Sequence, residues 1–224
     1  IKFCSRGIVV DGDGEEDDGT DIVFNQVRDV IGTGILTEEV GDLLVQGNTL
    51  TGVAGQAPMY GPDTLILDDW GADVVGNAIG DVDGGYGILV ENCHETYVHD
   101  NDVKRSVFAG IAVQNEDSSY YYYYYPSGTI GVSSGASGYY YGPSFGYGNV
   151  AYYNRVSDCG DGFGGGIQFS YQAYGYVVEN TVVRSGGTGI LLKDSEECGV
   201  LGNLVRNSER DGIWILRSYE EGNS

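Results

Sequence analysis

An asparagine that returns inside short β-branched runs constrains this chain more than any other feature. It stands at Asn25, Asn48, Asn77, Asn101, Asn154, Asn180 and Asn203, in contexts such as Val45-Gln46-Gly47-Asn48-Thr49-Leu50 and Val177-Val178-Glu179-Asn180-Thr181-Val182. Successive spacings are 23, 29, 24, 53, 26 and 23 residues. Roughly ten residues after most of these asparagines comes Gly-Ile and an apolar run, at Gly34-Ile35, Gly87-Ile88, Gly110-Ile111, Gly166-Ile167, Gly189-Ile190 and Gly212-Ile213. A unit this short cannot hold a crossover helix and carries no helical period, yet it offers two or three strands between Gly/Asn/Asp turns. One coil per repeat, with equivalent strands stacked in parallel, is the economical solution.

These Asn-x-Val and Gly-Ile-x-Val coils resemble the right-handed parallel β-helices of the pectate-lyase-like superfamily, from about Gly7 to Leu216. The resemblance implies an all-β fold, a right-handed parallel β-helix solenoid of about seven or eight coils with an aromatic-rich insertion. It also implies a hydrogen-bonded ladder of turn asparagines, for which Asn25, Asn77, Asn101, Asn154, Asn180 and Asn203 are the candidates. Asparagine suits that place because it tolerates the left-handed conformation and its amide can bond its equivalent one coil away. The chain starts in mid-coil at Gly7-Ile8-Val9-Val10 and stops soon after Gly212-Ile213-Trp214-Ile215-Leu216. Residues 1–224 therefore read as one β-helix domain or a segment of a longer chain, whose open ends are expected to stack on further coils or copies.

Two stretches interrupt the coils, at about 53–71 and 115–148. The second carries Tyr120, Tyr121, Tyr122, Tyr123, Tyr124 and Tyr125 in an unbroken run, followed by Tyr139, Tyr140 and Tyr141. A strand of consecutive tyrosines needs an apolar neighbour on both faces. It reads either as a platform for sugar rings or a neighbouring subunit, or as a hairpin packed on its own rod.

With 33 Asp+Glu against 11 Lys+Arg, the net charge is -22. Nucleic acid is not expected as a partner for such a surface, and no apolar run is long enough to span a membrane. Acidity with little lysine points to an extracellular or cell-surface location. Four positions after the asparagines stand Asp81, Arg105, Asp158 and Arg184, alternating in sign. The resemblance allows a polysaccharide-lyase site here, with Arg105 as base and Asp81 and Asp158 as calcium or substrate ligands. The alternative is a ladder of charge pairs. The Gly-His-Gly and Arg-Ile-Lys motifs of polygalacturonase-like members are absent. A run containing Asp11, Asp13, Glu15 and Asp17 has the carboxylate density for calcium without the EF-hand spacing, so the cofactor expectation is calcium or none. His94 and His99, beside Cys93, Glu95 and Asp100, could just supply a metal site but read better as turn residues.

Two functions compete. One is an extracellular structural or adhesive β-helix that self-associates, end to end or laterally, into a filament or surface layer. The other is a secreted polysaccharide-active enzyme of lyase, hydrolase or epimerase type, or a carbohydrate-binding β-helix.

Overall fold

The computed structural model describes residues 6–12, 19–53, 64–67, 70–81, 85–115 and 145–216. Among these there is no helix, and every strand pairing is parallel. Each coil contributes three strands, as in the fourth: Ile88–Glu91, Tyr97–His99 and Asp102–Lys104. Equivalent strands stack into a first sheet of eight strands and a second and third of seven each. Seven coils and the opening strand of an eighth follow from that count.

Alternation along each strand sends every second residue into the lumen. The third sheet buries Val27, Leu50, Ile79, Val103, Val156 and Val182, two positions after each asparagine. The second buries Val45, Val74, Val98, Ala151 and Val177, three positions before it. The first closes the core with Ile35, Ile88, Ile111, Ile167 and Ile190. The two sequence signatures interlock here. A Cβ on Gly110 or Gly166 would collide with Cγ1 of Val156 or Val182, so the glycine before the isoleucine lets the first sheet close on the third-sheet valine of the same coil.

At the corner between the second and third sheets the asparagines form a continuous ladder. Nδ2 of Asn25, Asn48, Asn77, Asn101, Asn154 and Asn180 each donates to Oδ1 of the next asparagine at 3.0 Å. That oxygen also accepts the backbone N–H of the preceding rung. Asn48 thus joins the six candidates as the second rung. The left-handed conformation, however, falls one residue before the asparagine, at Phe24, Gly47, Gly76, Asp100, Tyr153, Glu179 and Gly202. The preceding residue makes the bend, which leaves the asparagine amide pointing into the corner.

Of the insertions, residues 54–63, 68–69 and 116–144 lie outside the described residues, and with them Tyr120 to Tyr125 and Tyr139 to Tyr141. Asp13, Glu15 and Asp17 also lie outside, whereas Asp11 ends the first strand. Asn115 and Phe145, the described residues on either side of the long insertion, stand at the corner that opens the second sheet.

Candidate functional site

The column four residues after the asparagines is a row of left-handed turn residues, with Asp81, Arg105, Asp158 and Arg184 at φ of 55° to 61°. Arg105 Nε donates to Asp81 Oδ1 at 2.5 Å. Arg184 grips Asp158 with both Nε and Nη2, at 2.5 and 2.7 Å. The side chains are exposed. Hydrogen bonds to the arginines hold both carboxyls below the ordinary range, and the carboxylates in turn push both guanidiniums up. Each arginine is therefore held further from the neutral form that a general base requires.

The histidines do not converge. His94 lies against Trp70, its ring tilted by 32° with centroids 4.8 Å apart, and accepts the Tyr147 N–H on Nδ1; burial lowers its pKa. His99 is clamped between Asp73 Oδ1 at 2.9 Å and Asp100 Oδ2 at 2.8 Å, and lies flat on Tyr152 at 4.4 Å. Cys93 turns inward towards the carbonyls of Ile66 and Glu91. Among the described residues no group of three or more His, Cys, Asp and Glu side chains could hold a metal ion.

The described structure instead gathers aromatic rings on the second sheet and the turns that flank it, Tyr97 and Tyr176 on its strands and the other four beside them. Trp70, Tyr97, Tyr147, Tyr153, Tyr174 and Tyr176 stand there between 40% and 57% exposed. They occupy four successive coils, about 14 Å of rod at the stacking distance of parallel strands. Tyr174 leans on Tyr147, with centroids 5.1 Å apart, and Tyr153 meets Tyr152 edge-on at 5.5 Å. Glu179 and Glu197, each the equivalent position one coil on from Tyr153 and Tyr174, raise both phenol pKa values. Tyr176 lies over Gly199, where an added Cβ would come within 2.8 Å of its ring. These contacts fix the rings before anything binds, which lowers the entropic cost of an encounter.

This face was readable only by register. Trp70, His94 and Tyr147 all stand seven residues before their asparagine, Tyr97 and Tyr176 four, His99 and Tyr152 two. Aligning outward columns as well as core columns would have exposed it.

Solenoid, ladder and interlocking signatures define the class: the chain is a right-handed parallel β-helix repeat protein. A family model described as the right handed beta helix region matches residues 132–223, and one described as the periplasmic copper-binding protein NosD matches residues 13–122. No curated protein matches the chain by sequence. Among solved structures, the periplasmic alginate epimerase AlgG superposes with a TM-score of 0.58 at 15% identity, over 85% of this chain and 37% of that one. A point mutant of AlgG gives 0.50 at 12% identity, over 98% of this chain and 40% of that one. The Dettilon tailspike protein gives 0.44 at 14% identity, over 88% and 48%. The chain thus spans about two fifths of the AlgG chains. Copper belongs to the description of NosD. The described residues here do not fit such a site, because both histidines are engaged in ring and hydrogen-bond contacts and no ligand group assembles. Among the described residues, no helix is long and apolar enough to cross a membrane.

Proposed function

We propose that this chain is a polysaccharide-binding β-helix working outside the cytoplasm, in the periplasm or at the cell surface, and that it holds a glycan along the outer face of the second sheet. The observation that carries the reading is the set of exposed, pre-fixed rings over four coils. Flat aromatic surfaces suit the C–H faces of sugar rings, and a straight repetitive rod suits a repetitive ligand. The fold shared with AlgG, which is named for alginate, and the periplasmic descriptions of AlgG and NosD support the same assignment.

Turnover is the weaker reading. In the column of Asp81, Arg105 and Asp158 the charges are already matched coil to coil, which favours a charge ladder over a base and its ligands. Affinity electrophoresis through gels containing soluble glycans tests the proposal. At least one polysaccharide should retard the protein, and Tyr97→Ala/Tyr176→Ala should migrate freely. A double variant retarded as strongly as the parent would refute it. Light scattering on the same samples addresses self-association, since a concentration-dependent mass would favour the adhesive, assembling reading.

A further inference from the structure

We infer that the second-sheet face selects a polysaccharide bearing free amino groups over a uronate polymer. The inference rests on the platform reading above and names the chemistry of its ligand.

The charge around the platform has one sign. The segments that form the second sheet and its flanking turns, 19–25, 41–48, 70–77, 93–101, 145–154, 171–180 and 196–203, contain no lysine or arginine. They contribute Asp21, Asp42, Asp73, Glu95, Asp100, Glu179, Glu196 and Glu197. The cations Arg28, Lys104, Arg155 and Arg206 lie on the third sheet, and Arg105 and Arg184 on the turn after it. The segments themselves therefore present carboxylates without a lysine or arginine among them, and cations stand only at their margins, where Lys193 Nζ is 5.7 Å from the Tyr171 ring and Arg155 lies two residues beyond Tyr153.

The carboxylates are also in step with the rings. Tyr97 stands directly opposite Asp73 in the parallel register, and Glu179 and Glu197 hold the positions equivalent to Tyr153 and Tyr174 one coil on. Tyr97, Tyr153 and Tyr174 thus each have a carboxylate one coil away, about 4.8 Å along the rod. A sugar stacked on the ring would direct a substituent towards that carboxylate. An ammonium there gains a charge-assisted hydrogen bond and the attraction of the neighbouring ring face. A uronate carboxylate in the same place would be repelled by an overall charge of -22.

The test measures binding of the whole protein to three oligomers of matched length: deacetylated hexosamine, its fully acetylated counterpart and a uronate. Calorimetry is run at low and high salt, with polylysine as a control. The amino oligomer should bind about tenfold tighter than the acetylated one, and the gap should close as salt rises. The uronate should bind weakest. Glu179→Gln/Glu197→Gln should bring the amino oligomer towards the acetylated one, while circular dichroism confirms an intact fold; the salt response of the unaltered protein gives an independent readout. Equal or tighter binding of the acetylated or uronate oligomer overturns the inference but leaves the platform standing. No binding to any oligomer removes both. Polylysine binding as tightly as the amino oligomer, with Tyr97→Ala/Tyr176→Ala without effect, would mean a general polyanionic surface and also overturns it.

Discussion

Truncating one internal rung of the asparagine ladder tests what holds the corner. The Asn154 amide accepts the Asn101 N–H at 3.1 Å and Asn101 Nδ2 at 3.0 Å, and donates to the Val98 carbonyl at 2.7 Å and Asn180 Oδ1 at 3.0 Å. Its residue is 1% exposed, so water does not readily replace these partners. In Asn154→Ala, Asn180 Oδ1 keeps the backbone N–H of residue 154 and Asn101 Nδ2 keeps the Val74 carbonyl. The Asn101 N–H and the Val98 carbonyl each lose a bond, at about 1–3 kcal/mol for a buried group left unmatched. A total near 3 kcal/mol corresponds to a Tm lower by about 6–12 °C for a chain of this size. Asn25→Ala is the control. It removes bonds to Val23 and Asn48 at the margin of the rod, where Asn48 Oδ1 still accepts the Asn25 N–H, so the cost is about 1 kcal/mol or less. Thermal and urea unfolding followed by circular dichroism measure both variants. Amide hydrogen exchange at Asn101, which should accelerate in Asn154→Ala, guards against partial unfolding of a repeat array. Equal destabilisation by the two substitutions would refute the reasoning, since it would leave buried hydrogen bonds with no part in the difference.

Three further outcomes follow from the same geometry. Alkaline titration of tyrosine absorbance should find Tyr153 and Tyr174 ionising above the ordinary phenol value, and Glu179→Gln should bring Tyr153 down, because the Glu179 carboxylate favours the neutral phenol. The carboxyls of Asp81 and Asp158 are depressed in the folded state, so their contribution is present above the unfolded value near 3.8 and is lost as pH falls through the lowered folded values; Arg184→Gln should shrink this acid-dependent part of stability, measured by urea unfolding below pH 4. Gly146→Ala should destabilise by about 1–3 kcal/mol through overpacking, since its Cβ would sit 2.5–2.7 Å from the amide groups of Asn115, Gln172 and Asn149; a variant as stable as the parent would show that this buried amide cluster can relax.

The core and corners were legible because the solenoid imposes a chemical demand at fixed offsets from each asparagine. Val103 and Val156 must fill the lumen, Gly110 and Gly166 must leave room for valine, and the asparagine must supply both donor and acceptor. Those demands recur every coil, so they appear as a period. Asn48 escaped the expected ladder although its amide makes the same bonds, and the bend was assigned to the asparagine when the residue before it takes the left-handed conformation. Periodicity locates a corner to within a residue or two, but only backbone dihedrals say which residue turns. The platform was harder to see for a different reason. Tyr97, Tyr147 and Tyr176 are separated by 50 and 29 residues, and nothing in the fold requires a ring at any of them.

That absence of a folding requirement is what makes the platform informative. Outward positions of a parallel coil are constrained by solubility and little else, and the third sheet follows this rule. Its outer columns run Gln26, Thr49, Ala78, Asp102, Arg155, Thr181 and Arg28, Thr51, Gly80, Lys104, Ser157, Val183, without one aromatic ring. On the first sheet the outward Leu89 and Ala112 are buried with Ala109 and packed by Tyr86, so those apolar residues already have partners. The second sheet with its flanking turns fits neither case: its rings are about half exposed, packed on one another or on the next coil, and concentrated in adjacent coils. Burying exposed apolar area on folding cannot account for rings that remain exposed after folding. A glycan laid over them, as proposed above, would account for them, and the lack of lysine and arginine in the same segments bears on which charge it carries.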